Sequence, residues 1–144
     1  MEPHVSDIVR IIQLVVAPVF LLTAIGTIIA ALNVRLGRAV DRRRVLEEKM
    51  AALARDEVEA ARDELAQIAR RIRNVYFAIL FAVLSALFVC LLIAWAFIGA
   101  LASAEMTRTI AGLFVVAMLA LIASLLLFLR EIFLAVSTPR HVPK

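Results

Sequence analysis

The chain has 144 residues, 64% of them hydrophobic and 19% charged, with four glycines, four prolines and a formal net charge of +4. A soluble domain is about half apolar, so water is not the solvent for most of this chain. The basic balance does not call for nucleic acid, because the arginines crowd the membrane-proximal ends of a polar middle segment, where anionic lipid headgroups are the simpler partner.

Three blocks carry no charge at all: residues 11–32, 74–104 and 109–129. Each reaches the roughly 20 residues that a helix needs to cross about 30 Å of hydrocarbon. The expected fold is therefore an all-α membrane protein with transmembrane helices at 8–33, 75–101 and 109–129. The first seven residues lack the basic start of a secretory signal, and the apolar run that follows is too long for one, so the first block reads as a retained span. Ser6 and Asp7 are good capping types and place the start of that helix. Pro18 falls inside it and predicts a bend, which a membrane helix tolerates where neighbours satisfy the freed carbonyl.

The first span alone has a polar stripe. At 100° per residue, Gln13, Ala17, Phe20, Thr23, Ala24, Thr27 and Ala31 share one side and continue into Arg35, Arg38 and Arg42, while Ile11, Val15, Leu22, Ile25 and Ile29 share the opposite side. The commoner use of such a stripe is packing against spans two and three of the same subunit, with the threonine hydroxyls bonded back to their own helix. The sharper use is lining a pore in a homo-oligomer. Thr23 and Thr27 would then border the narrow part, Phe20 would form an apolar constriction, and Arg35, Arg38 and Arg42 would set the potential at the cytoplasmic mouth. Such a ring repels cations unless the arginines turn away.

Between residues 38 and 98 there is neither Gly nor Pro, so helix is expected to run out of span one and back into span two. Val58, Ala61, Leu65, Ile68, Ile72 and Val75 repeat in steps of three and four. Leu36, Ala39, Leu46, Met50 and Leu53 do the same with Arg43 as one interruption. The chain must return to the membrane, so residues 34–74 are expected to form a cytoplasmic antiparallel helical hairpin that reverses near 53–57, with arms of about 27 Å. Charge is graded along it. Arg35, Arg38, Arg42, Arg43, Arg44, Arg70, Arg71 and Arg73 lie at the base, with Arg43, Arg44, Arg70, Arg71 and Arg73 taken as contacts for lipid headgroups. Glu47, Glu48, Asp56, Glu57, Glu59, Asp63 and Glu64 lie toward the tip, as a solvated face or as a surface for a protein partner.

Spans two and three are joined by residues 102–108, short enough to make them antiparallel neighbours. Small residues four apart, Ala78, Ala82 and Ala86 on one and Ala120 and Ser124 on the other, suit close approach where no hydrophobic drive exists between helices. Span three is expected to continue through Arg130 and Glu131 to about 134 and to stop before Ser137, Thr138 and Pro139, leaving a tail at 135–144. Of the sixteen Lys and Arg, eleven lie between residues 35 and 73 and three more in the tail region, against Arg10 and Arg108 elsewhere. The positive-inside rule then puts residues 1–7 outside and the C-terminus in the cytoplasm, and Tyr76 and Trp95 fall at headgroup depth.

Chemistry is thin. His4 and His141 lie at opposite ends, no metal-ligand spacing or phosphate loop is present, and Ser85, Ser124 and Cys90 read as packing residues, so no enzymatic activity and no cofactor is expected. The run Pro18-Val19-Phe20-Leu21-Leu22, then Asn33-Val34-Arg35-Leu36-Gly37-Arg38 with Asp41-Arg42, and Phe128-Leu129-Arg130-Glu131, together resemble a bacterial family of short three-span membrane proteins, the domain of unknown function 2721. That resemblance covers nearly the whole chain and implies a bacterial inner-membrane location without an activity. Two functions stay open. One is a homo-oligomeric assembly, an ion channel with helix one facing the axis; the other is a membrane scaffold or regulatory subunit that presents its cytoplasmic hairpin to a partner.

Overall fold

A computed structural model describes residues 3–101 and 107–136, and these form α1 (Pro3–Met50), α2 (Arg55–Leu101) and α3 (Thr107–Val136). All three carry a window long and apolar enough to cross a bilayer. The protein is thus an all-helical, multi-pass membrane protein whose apolar surfaces meet lipid. Only 17%, 28% and 17% of the most apolar windows of α1, α2 and α3 are buried within the chain, so most of that surface is left to lipid or to other chains.

Helix ends differ from expectation in instructive ways. α1 starts at Pro3, ahead of Ser6 and Asp7, because proline at a first helical position loses no hydrogen bond and has its φ already set. The helix continues through Pro18, which is buried. Reversal comes at 51–54 instead of 53–57. The Ala52 and Leu53 N–H groups donate to the Lys49 and Met50 carbonyls at 3.0 and 3.5 Å, tightening the last turn of α1. The Ala54 carbonyl then accepts from Glu57 and Val58 at 3.1 and 3.2 Å and opens α2. This start places Glu57 in the first turn of α2 and leaves Lys49 in the last turn of α1, both favourable to the helix dipoles. Of the expected connection at 102–108 and tail at 135–144, residues 107–108 and 135–136 belong to α3, and 102–106 and 137–144, with Arg140, His141 and Lys144, lie outside the described residues.

Two compact units divide the chain. The first comprises Met1–Ile29 and Phe81–Ala123. Its core is Ile25 of α1, Ala82 and Val89 of α2, and Ala117 and Leu121 of α3, flanked by Leu21, Leu22, Ile29 and Phe88. The Ser85 hydroxyl, fully buried, donates to the Ala117 carbonyl at 2.8 Å and ties α2 to α3.

The second unit comprises Ala30–Leu80 and Ser124–Lys144. Leu32, Ala61, Ile68, Val75 and Ala78 are buried in it, and the Ser124 hydroxyl, also fully buried, donates to the Ala78 carbonyl at 2.7 Å. Arg42 of α1 donates to Glu64 of α2, its Nε at 3.1 Å, a contact symmetric about the 51–54 turn. Leu36, Ala39, Leu46, Met50, Val58, Leu65 and Ile72 are half-buried, with Arg43 exposed.

The small-residue contacts follow a different register from the four-residue repeat. On α2 the fully enclosed positions are Ala78, Ala82, Ser85 and Val89, and on α3 they are Ala117 and Ser124, while Ala86 and Ala120 are only half-buried. Steps of four and three keep a straight contact on a helix of 3.6 residues per turn, whereas a strict step of four drifts off it. Ser85 and Ser124 are therefore more than fillers. Each donates its own hydroxyl to a backbone carbonyl of the neighbouring helix in a medium that offers no water, a bond worth on average about 0.6 kcal/mol.

Candidate functional site

α1 presents its aliphatic side to the rest of the chain. Val15, Pro18, Ile25 and Leu32 are buried and Ile11, Leu22 and Ile29 half-buried. The polar stripe therefore lies on the other side. In the first unit Gln13, Ala17, Phe20, Thr23, Ala24 and Thr27 are all exposed, Phe20 at 71%. This overturns packing of the stripe against α2 and α3 of the same chain, and the reason is that the opposite, aliphatic face fills that contact. The hydroxyls do bond back to their own helix, Thr27 to the Thr23 carbonyl at 3.1 Å and Thr23 to the Val19 carbonyl at 3.5 Å. Such bonds silence the hydroxyl in an apolar medium without committing it to another helix.

Gly26 sits beside these threonines, where sequence reasoning gave it no role. A Cβ built there meets nothing within 4 Å, so the chain's own packing does not require a glycine. In a helix interior glycine costs about 1 kcal/mol relative to alanine, and its usual gain in membranes is close approach of another backbone. Toward the start of α1, Ile12, Val15, Val16, Val19 and Phe20 line an open apolar groove of about 300 Å3 with Phe97 of α2.

In the second unit the stripe breaks up. Ala31 and Arg38 remain exposed, but Arg35 is half-buried, its guanidinium 5.0 Å from the centroid of the Phe128 ring of α3. Arg35 thus leaves the line of outward residues, drawn over by an aromatic face and by nearby carboxylate charge. Arg42 is exposed and compensated by Glu64, and Arg43 donates to Glu47 one turn along at 2.7 Å. Exposed pairs of this kind are worth at most about 1 kcal/mol. Among the residues taken for lipid contact, Arg44, Arg70 and Arg73 are exposed. Arg71 is half-buried, its Nη2 donating to the Leu134 carbonyl at 3.0 Å.

Between these two arginines lies Glu131, a residue that the sequence leaves undistinguished in a charged helix end. It is only 7% exposed, and its Oε2 is buried without a hydrogen-bond partner. The charges acting on it are Arg71 first and Arg35 second. Phe128, Glu131 and Leu134 stand three residues apart on α3, so contacts from α1 and α2 meet one side of its end.

Residues 15–141 match the family described as Protein of unknown function (DUF2721). The chain belongs to that family. No curated protein and no solved structure shows a significant match to it. Within the DUF2721 match fall Phe20, Thr23, Thr27, Ala31, Arg35, Arg38 and Arg42, together with Ser85, Ser124 and Glu131, while Gln13 lies just ahead of it. The family description names no activity.

Proposed function

We propose that this DUF2721 protein is a homo-oligomer of the bacterial inner membrane in which α1 faces the symmetry axis and borders an ion pathway. The carrying observation is the outward polar stripe of α1. A face with Gln13, Thr23, Gly26 and Thr27 gains little from lipid chains, while the same chain shields a purely aliphatic face of the same helix. The N-terminus lies outside, and the 51–54 turn is the tip of an antiparallel helical hairpin in the cytoplasm, an orientation supported by the eleven basic residues between 35 and 73.

In this assembly Thr23 and Thr27 border the narrow part of the path, Phe20 forms an apolar constriction on its outer side, and Arg38 and Arg42 stand at the cytoplasmic mouth. With Arg35 on Phe128 and Arg42 compensated by Glu64, the positive potential there is smaller than three free arginines would give, which lessens the repulsion of cations. Arg44, Arg70 and Arg73 meet anionic headgroups at the base of the hairpin. The reading includes no catalytic step.

Flux from liposomes holding the purified protein tests it. Wild type is expected to release trapped ions, Thr27→Ser to keep that flux, and Thr27→Ile to reduce it at least about tenfold by closing the path with a branched apolar group. Reconstituted oligomer that passes no ions at any membrane potential refutes conduction.

A further inference from the structure

We propose that Glu131 is an ionisable latch: as a carboxylate it holds Arg35 of α1 and Arg71 of α2 against the end of α3, and on taking up a proton it lets Arg35 go to the outward face of α1. The latch rests on the proposed function only for its consequence, the charge presented at the cytoplasmic mouth. Its structural basis is independent of that reading.

Three contacts follow one another along α3. Arg35 lies over the Phe128 ring, Glu131 is enclosed one turn later, and Arg71 is bonded to the Leu134 carbonyl a further turn on. The groups that face Glu131 are Arg35 from α1 and Arg71 from α2, and its neighbour on α3 itself, Arg130, is exposed. A carboxylate with two guanidinium neighbours would ordinarily use both oxygens, yet Oε2 accepts nothing. A buried acceptor without a donor is costly to keep charged.

Protonation removes the buried charge. A proton from cytoplasmic water adds to Oε2, one O–H bond forms and no other bond changes. The attraction to both guanidinium groups is then lost. Arg71 keeps its bond to the Leu134 carbonyl and stays. Arg35 keeps only its contact with the Phe128 ring, which competes against hydration and the recovered rotamer freedom of a long side chain. Arg35 then stands with Ala31 and Arg38 on the outward side of α1, and the mouth becomes more positive.

The test is a double-mutant cycle on thermal melting of the full chain in lipid nanodiscs, run from pH 8 to pH 4. Arg35→Gln is expected to lower the melting temperature of wild type by at least about 2 °C at pH 8. The same substitution should have no effect in the Glu131→Gln background at any pH, or in wild type at the acidic end. Glu131→Asp keeps the charge and should keep the coupling. An Arg35→Gln effect that is equal in wild type and Glu131→Gln, and flat with pH, overturns the latch whatever the flux measurements show. Should Glu131→Gln not fold, the pH series on wild type and Arg35→Gln decides by the same criterion. Loss of ion flux with this coupling intact would count against the pore alone.

Discussion

Two pairs of hydroxyls, Ser85 with Ser124 and Thr23 with Thr27, are used in opposite ways. Both serines are fully buried and donate across to a neighbouring helix, Ser85 from α2 to α3 and Ser124 from α3 to α2. Both threonines are exposed and donate to their own helix one turn back. A hydroxyl that bonds another helix fixes which surfaces meet inside the chain. One satisfied within its own helix leaves its face free for a surface the single chain does not supply. The contrast separates hydroxyls used between α2 and α3 from a stripe of α1 that the chain leaves exposed.

The sharpest way to break the contrast is to enlarge the serines. Ser124→Leu or Ser85→Leu puts three extra carbons where no space exists and should cost about 1–3 kcal/mol or more, seen as a fall in melting temperature and rapid proteolysis in nanodiscs. Gly26→Ile is the matched change on the stripe. A Cβ at this position meets nothing within 4 Å in its own chain, so melting of the monomer should hold while the oligomer dissociates, read by native mass. Melting that collapses as it does for Ser124→Leu would show that the stripe is internal after all.

Gentler changes sharpen the comparison. Ser85→Ala removes one interhelical bond and should cost about 0.6 kcal/mol in a denaturation series. Thr23→Val keeps shape and loses only an intrahelical bond, so stability should change by less than about 0.5 kcal/mol. Glu64→Gln removes the compensation of Arg42, and because both partners are well exposed the stability change should be smaller still. Its trace belongs in ion selectivity, with the path turning less favourable to cations.

Much of the fold is legible in the sequence because apolar stretches of bilayer length have few solutions other than a membrane helix. The absence of Gly and Pro between residues 38 and 98 likewise foretells helix on both sides of the reversal. The reversal itself falls in Ala51-Ala52-Leu53-Ala54, good helix formers, so no local signal marks it and only the pairing of the flanking segments places it. Register is lost for the same reason. A sequence shows small residues at 78, 82 and 86, but the choice of 85 over 86 is made by the facing helix.

The outward side of α1 follows from its periodicity, but the position of Arg35 does not. Periodicity groups Thr23 and Thr27 with Arg35, yet it cannot say that a phenylalanine on α3 draws Arg35 aside. Glu131 is invisible in sequence because its burial is made by α1 and α2, more than fifty residues away in the chain. Arg71 differs from Arg70 and Arg73 only in the face it occupies, and that face meets the end of α3.

Native mass measurement of the protein extracted directly from its membrane into nanodiscs bears most directly on the outward stripe of α1. The expected result is a ring of several copies that falls to single chains on Gly26→Ile. A wild-type protein that is a folded monomer at all concentrations would contradict the account, since three helices with this stripe on the outside enclose no path for ions.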